Sequence, residues 1–388
     1  MPVVPVILVS VWPVIGAMAC GLTWGRPNAA WLIGFSALVP IFWQQCQSRW
    51  VATAVVLAYQ LAGSRGLPAG AAVFFGDQAP SWYGWFLWFG AATATTAPWM
   101  ILWSPHPGRR VWLMVANLAL DTVPPIGWIA WTSPLTSAGI LFPGFGFMGL
   151  FSLTVTLMAL CHRSAPAIFA AIAMMAIALM ANLTSTGAAP IAGWSGVDTD
   201  FSRLQTGSEA ELIARVLRVV QVMAVIERDQ LVVLPESVLP PIAEKSFANE
   251  MLKTASAQLK TRGGALLVGA EVERDNVLLG LGAADAILVQ RVPVPISMWR
   301  PWTSEGFRAH PLETGIHMVL GKKVAELICY EQVLTYPVLL SMLDRPDLLI
   351  GAANDWWARG TSIPAIQSEA IDAWGRLFGV PVIRAVNL

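Results

Sequence analysis

Leu-Ile-Cys-Tyr-Glu-Gln at residues 327–332 decides the reading of this chain, together with Val-Val-Leu-Pro-Glu-Ser at 232–237. Each is an apolar run that gives way to a turn, and each sets one reactive side chain, Cys329 or Glu236, at that transition. An α/β framework holds reactive groups there, over the carboxyl edge of its sheet. A thiol and a carboxyl so placed have the layout of a Cys-dependent amide or acyl transfer site.

Outward from these runs the texture is α/β. Ser208 followed by Glu211 forms a capping box opening a helix through Ile226. A strand is predicted over 230–234, a helix around 246–261 and another strand over 265–271. Segments 277–282 and 286–292 pattern as a hairpin, and 317–320 with 324–329 as a second one around Gly321. A helix over 333–344, a strand over 347–352, a helix over 364–377 and a strand over 381–386 complete the pattern. This mixture of hairpins and alternating elements predicts a sheet sandwich with helices outside, not a Rossmann fold.

The first half is of another kind. Residues 1–190 hold six Arg, no Lys and two Asp, while 191–388 hold the other eighteen basic and twenty-two acidic side chains. Apolar runs near 4–22, 28–44, 51–74, 82–104, 111–131, 139–160 and 166–185 are long enough for about seven bilayer spans. Arg65, Gly66 and Pro68 interrupt the third, which can be broken or re-entrant. The boundaries expected are a transmembrane helical domain at 1–190 and a polar domain at 191–388. With a cytoplasmic N-terminus, Arg49, Arg109, Arg110 and Arg163 lie inside and Arg26 and Arg65 outside, which places the second domain in the periplasm of a multi-pass inner-membrane protein. Trp43, Trp50, Trp82, Trp103, Trp112 and Trp131, near span ends, suit interfacial belts. Asp121, set in apolar sequence before Pro124 and Pro125, is a functional suspect by its depth alone.

Some functions are disfavoured by composition. Net charge is zero and no basic block stands out, so direct nucleic-acid binding is not expected. Cys20, Cys46, Cys161 and Cys329 are scattered without a CxxC or His cluster, so neither a zinc site nor a disulfide framework is indicated, and no cofactor is expected.

Four motifs in order, VVLPES, RGGALLVGAEV (262–272), LICYEQV and GAANDWWARGTSIPAIQ (351–367), resemble those of the carbon–nitrogen hydrolase, or nitrilase, superfamily. With PPIGWIAWTSPLTSAGILFPGFGFMGL (124–150), the chain resembles the apolipoprotein N-acyltransferase-like branch, and within it conjugal-transfer members carried by Ti-type plasmids. The resemblance implies an αββα sandwich and a Glu-Lys-Cys catalytic set. In that set the thiolate attacks a carbonyl to give a thioester, the Glu relays protons and the Lys ammonium stabilises the oxyanion. Carried over by position, Cys329 is the nucleophile and Glu236 the general base, while Tyr330, Glu331, Asn354, Asp355 and Trp357 are substrate-side residues. The implied partners are the lipid bilayer, an acyl or amide substrate at the membrane surface, and proteins of a conjugation apparatus.

The chain departs from its relatives at QRVPVPISMWRP (290–301): Gln290 stands at the family's Lys position and Met298 at its second Glu. Arg291 is adjacent but faces the other side of a regular strand. Relatives also continue past the last strand, so the sandwich is expected to be incomplete at Leu388, with an open sheet edge. Three readings stay open: a diverged Cys-dependent hydrolase or acyltransferase serving plasmid transfer, a catalytically inactive binding or assembly module of that apparatus, and an apolipoprotein N-acyltransferase.

Overall fold

The computed structural model describes residues 4–162, 164–201, 209–242 and 246–388. The expected inside charge Arg163 and the helix cap Ser208 lie outside these residues. The chain packs as two compact units that are not consecutive in sequence. One comprises Met1–Ala188, Val333–Tyr336 and Gly360–Gly379; the other comprises Ala189–Gln332, Pro337–Arg359 and Val380–Leu388.

The first unit is helical: α1 (Val4–Leu22), α2 (Leu38–Gln45), α3 (Arg49–Gly63), α4 (Leu67–Phe75), α5 (Tyr83–Ile101), α6 (Pro107–Leu120), α7 (Ala138–Leu141), α8 (Phe147–His162) and α9 (Ala165–Thr184). Among the described residues, only α9 is both long and apolar enough to cross a bilayer by itself. Local chemistry explains why the expected spans are shorter. The interruption at Arg65, Gly66 and Pro68 ends α3 and starts α4, with Pro68 in the first turn of α4, where its missing N–H costs nothing. The 28–44 run begins as a 3₁₀ segment, Ala30–Ala37, before α2. The 111–131 run stops being helical at Leu120, ahead of Pro124 and Pro125. Buried polar links tie the helices together: Trp24 Nε1 donates to the Tyr59 hydroxyl at 3.0 Å, which donates to the Thr132 carbonyl at 2.6 Å. Trp50, Trp82 and Trp112 stand exposed, as a belt requires, but Trp43 is fully buried, edge-on to Trp99.

A late segment joins this unit. Along the chain come α10 (Glu209–Val225), α11 (Phe247–Thr261), α12 (Thr335–Met342) and α13 (Ile363–Phe378), the last of them in this unit. It packs on α7 so closely that a Cβ on Gly139 would lie 1.9 Å from the Ala373 carbonyl oxygen. Its Glu369 accepts the Gly25 N–H at 2.8 Å.

The second unit holds two sheets. β1 (Trp194–Gly196), β2 (Leu231–Val233), β3 (Ala265–Val272), β4 (Asp275–Gly282) and β5 (Ile287–Val289) lie in that order, parallel from β1 to β3 and antiparallel from β3 to β5. β6 (Ile316–Val319), β7 (Lys322–Ile328), β8 (Leu348–Asn354) and β9 (Val382–Asn387) form the other, antiparallel at β6–β7 and parallel beyond. Strand alternation divides the apolar side chains into two cores. Leu231, Val233, Leu267 and Leu288 meet Val324, Ile328, Ile350 and Ala385 between the sheets. Val232, Leu266 and Val268, on the opposite face, pack under Val216, Val219 and Met223 of α10 and Leu252 and Leu259 of α11.

Two expectations change here. β1 has no counterpart in the sequence reading, because Trp-Ser-Gly is too short to carry a period. The expected open edge of β9 is met by the segment following β1: Thr199 N–H donates to the Val386 carbonyl at 3.0 Å, and Val386 N–H donates to Asp198 Oδ1 at 2.8 Å.

Candidate functional site

Three strand ends, those of β2, β7 and β8, present the candidate residues. β2 runs into Leu234-Pro235-Glu236-Ser237, and Ser237 takes a positive φ of 53° as the chain turns. The turn crosses β3 at Gly269, where a Cβ would lie 2.3 Å from the Pro235 carbonyl oxygen and 2.4 Å from Glu236 Cα. Only glycine permits that approach, and it sets Glu236 against the sheet with 3% of its surface exposed. Cys329 follows β7 directly, at φ 52°, a left-handed conformation uncommon for a residue with a Cβ. Asn354 and Asp355 come from the end of β8.

Glu236 is the hub. It hydrogen bonds to Cys329, its Oε1 accepts from Asn276 Nδ2 at 2.6 Å, and its Oε2 accepts the Asn354 N–H at 3.0 Å. Gln290, 1% exposed, accepts from the same Asn276 Nδ2 at 2.8 Å and donates through Nε2 to the Ile328 carbonyl at 2.9 Å. Gln290, Asn276, Glu236 and Cys329 thus form one hydrogen-bonded chain. Among the described residues, no Lys or Arg hydrogen bonds to Glu236, Asn276 or Gln290.

The electrostatics follow. Burial pushes Glu236 up to about 7, against the downward pull of its bonds from Cys329, Asn276 and Asn354. Burial and the charge of Glu236 push Asp355 up to about 8. Burial raises the Cys329 thiol well above its ordinary range, and the carboxyls of Glu236 and Asp355 add to the rise. A sulfur held between two carboxyls stays a thiol at neutral pH, whereas Cys-dependent chemistry needs the thiolate.

The remaining sequence candidates are placed as follows. Glu331, fully buried, accepts the N–H groups of Arg291 at 3.0 Å, Val292 at 3.1 Å and Ile328 at 2.9 Å, so its oxygens face the chain's own backbone. Tyr330 is half-buried in the same turn. The Asn354 side chain accepts from Asn387 Nδ2 at 2.7 Å, and Trp357 Nε1 donates to the Asn354 carbonyl at 3.1 Å. Arg291 points away from Gln290, as alternation requires, toward Glu331 and Glu326. Met298 sits half-buried in the loop after β5. Asn276 is the residue that sequence reasoning missed; its one signal is an Asn, next to Asp275, before the apolar run of β4. Asp121, in the helical unit, is buried and accepts the Ser133 hydroxyl at 2.7 Å. Among the described residues, no group of three or more His, Cys, Asp or Glu is arranged to hold a metal ion.

Comparison with known proteins agrees with this architecture. The carbon–nitrogen hydrolase family model matches residues 264–376. The chain is 36% identical over 381 residues to a probable conjugal transfer protein TraB of Sinorhizobium fredii, covering 94% of this chain and 95% of that one. It is 35% identical over 390 residues to a conjugal transfer protein TraB of Agrobacterium fabrum, covering 94% and 89%. The chain belongs to the carbon–nitrogen hydrolase superfamily and, within it, to the family of the TraB conjugal transfer proteins.

Proposed function

We propose that the protein is a membrane-anchored component of a conjugal transfer apparatus whose nitrilase-type pocket binds an acyl or amide group without turning it over. The observation that carries this reading is the amide of Gln290, hydrogen-bonded at both ends where catalysis calls for an ammonium. Losing a charged oxyanion donor costs about 10²-fold or more in rate. The raised Cys329 thiol takes away the nucleophile as well. Tyr330, Asn354, Asp355 and Trp357 are the residues we assign to ligand contact, and Glu331 holds the turn on which they depend.

The conjugation role rests on the relatives. Membrane anchoring is supported by α9, whose 20 residues span about 30 Å, and by exposed Trp85, Phe86, Phe89, Phe151 and Phe169 on the helical unit. The multi-pass arrangement, with the second domain in the periplasm, rests on the loop arginines. A second reading, a diverged Cys-dependent hydrolase, is favoured by the left-handed Cys329 and its bond to Glu236, a strained feature with no use in a mere scaffold. The N-acyltransferase reading is disfavoured by Gln290 and Met298.

Plasmid transfer by cells carrying Cys329→Ala in place of the wild-type chain tests the proposal. We expect wild-type frequency at normal protein level. Loss of transfer would overturn the non-catalytic reading and assign the site to the hydrolase. Alkaline phosphatase fused after residue 195 should be active and after Arg110 inactive; the reverse pattern would overturn the topology.

A further inference from the structure

Beside the site lies a buried charge cluster that the pocket reading does not use. Glu326 of β7 is completely buried, and neither of its oxygens meets a donor in hydrogen-bond geometry. They face a guanidinium and an imidazole at longer range, Arg291 Nε at 3.9 Å from Oε1 and His317 Nε2 at 3.5 Å from Oε2. Arg291 is shared: its Nε also lies 3.4 Å from Glu331 Oε1, while its Nη1 donates to the carbonyls of Thr314 at 2.9 Å and Pro337 at 3.1 Å. The cluster therefore sets two buried carboxylates against one permanent cation. Leaving a buried charge unpaired is costly: burial raises both carboxyls, and His317 is the titratable member of the cluster that solvent reaches.

His317 is built for this task. It sits on edge strand β6 with 27% of its side chain exposed, so it exchanges protons with solvent while reaching a carboxylate that cannot. The charged groups facing it are Glu326 from β7, Arg291 from the segment after β5 and Glu313 from the loop before β6. Partial burial works against its charge, but the nearby carboxylate of Glu326 outweighs that and raises it above the ordinary imidazole range.

Glu331 connects the cluster to the pocket. Its carboxylate gathers the N–H of Ile328, immediately before Cys329, with those of Arg291 and Val292, immediately after Gln290. It thus clamps the two backbone segments that present the sulfur and its neighbouring amide.

We propose that His317 is a positioning residue whose protonation neutralises Glu326, leaves Arg291 to Glu331, and so tightens the turn that presents Cys329. Without that proton, Glu326 competes for the one guanidinium and the Glu331 clamp loosens. Acid therefore closes the site and base relaxes it. No bond is made or broken; one proton moves between solvent and the imidazole. The inference rests on the pocket reading for its consequence, control of ligand access, but its test requires no ligand and can fail independently.

Hydrogen–deuterium exchange of the full chain in mild detergent reads the clamp directly, followed from pH 5 to 8 and corrected for intrinsic rates. Protection of the segments containing Ile328 and Arg291–Val292 should fall severalfold as pH rises through the His317 titration, itself followed by NMR. His317→Gln should give low protection at every pH. Glu326→Gln, which removes the competing charge, should give high protection at every pH, and the double variant should regain it. Protection in the wild-type chain that ignores the His317 titration would overturn the proposal, and that comparison needs no variant. A transition persisting in His317→Gln would do the same.

Discussion

Gln290 donates a hydrogen bond to the carbonyl of Ile328, the residue next to Cys329, at 2.9 Å. Gln290 is therefore tied to the strand that ends at Cys329. Restoring charge there has a definite consequence. With Gln290→Lys, the Cys329 thiol is expected to label at least ~10-fold faster near pH 7, because a pKa drop of one unit alone raises the thiolate fraction about tenfold. Comparison of labelling at Cys329 and Cys161 by mass spectrometry measures this, and an unchanged rate would mean that the site holds its thiol for reasons other than the missing cation.

Asn276 supplies one amide to two acceptors, Glu236 Oε1 and Gln290 Oε1. Asn276→Leu removes both bonds in a buried setting and is expected to cost about 1–3 kcal/mol of stability. Chemical denaturation reads the loss. A neutral result would indicate that Gln290 and Glu236 pair directly once Asn276 is gone.

Stability should also depend on pH through the two carboxyls. Glu236 is raised from 4.5 to about 7 and Asp355 from 3.8 to about 8, so the folded chain holds protons that the unfolded chain releases. Their contribution is complete below the ordinary carboxylate range, falls as pH rises through it, and is exhausted above about 8. Glu236→Gln should flatten the lower part of that decline, up to about 7. Melting temperatures at pH 5 and pH 8 suffice; a wild-type chain more stable at pH 8 than at pH 5 would contradict the assignment.

Gly269→Ala places a methyl within 2.4 Å of the Glu236 backbone. Overpacking of this kind costs about 1–3 kcal/mol, and here the displaced atoms carry the hub of the site. The variant is expected to lose stability and to shift the reactivity of Cys329 together, whereas a purely structural glycine would move only the first.

Much of this was legible beforehand for physical reasons. Strand period and turn position placed Glu236 and Cys329 each at the end of a strand, and alternation turned Gln290 and Arg291 to opposite faces. Asn276 escaped because an Asn beside an Asp at a strand start reads as turn chemistry. β1 escaped because pairing with β2, not its own three residues, makes it a strand. The apolar runs of the first half gave the helical character of that region, and Arg65, Gly66 and Pro68 marked the break between α3 and α4; the 3₁₀ start of the 28–44 run left no mark in its apolar pattern.

The threading of the chain has a further consequence. Between β8, which ends at Asn354, and β9, which starts at Val382, the backbone contributes α13 to the helical unit. The last strand of the sandwich can therefore be added only after that excursion is finished. A chimaera joined at residue 190 would transplant α13 without Gly139 or Gly25, the surfaces it was shaped to meet. Neither half can be exchanged with a relative's by a single crossover at that point without stranding a helix that belongs to the other.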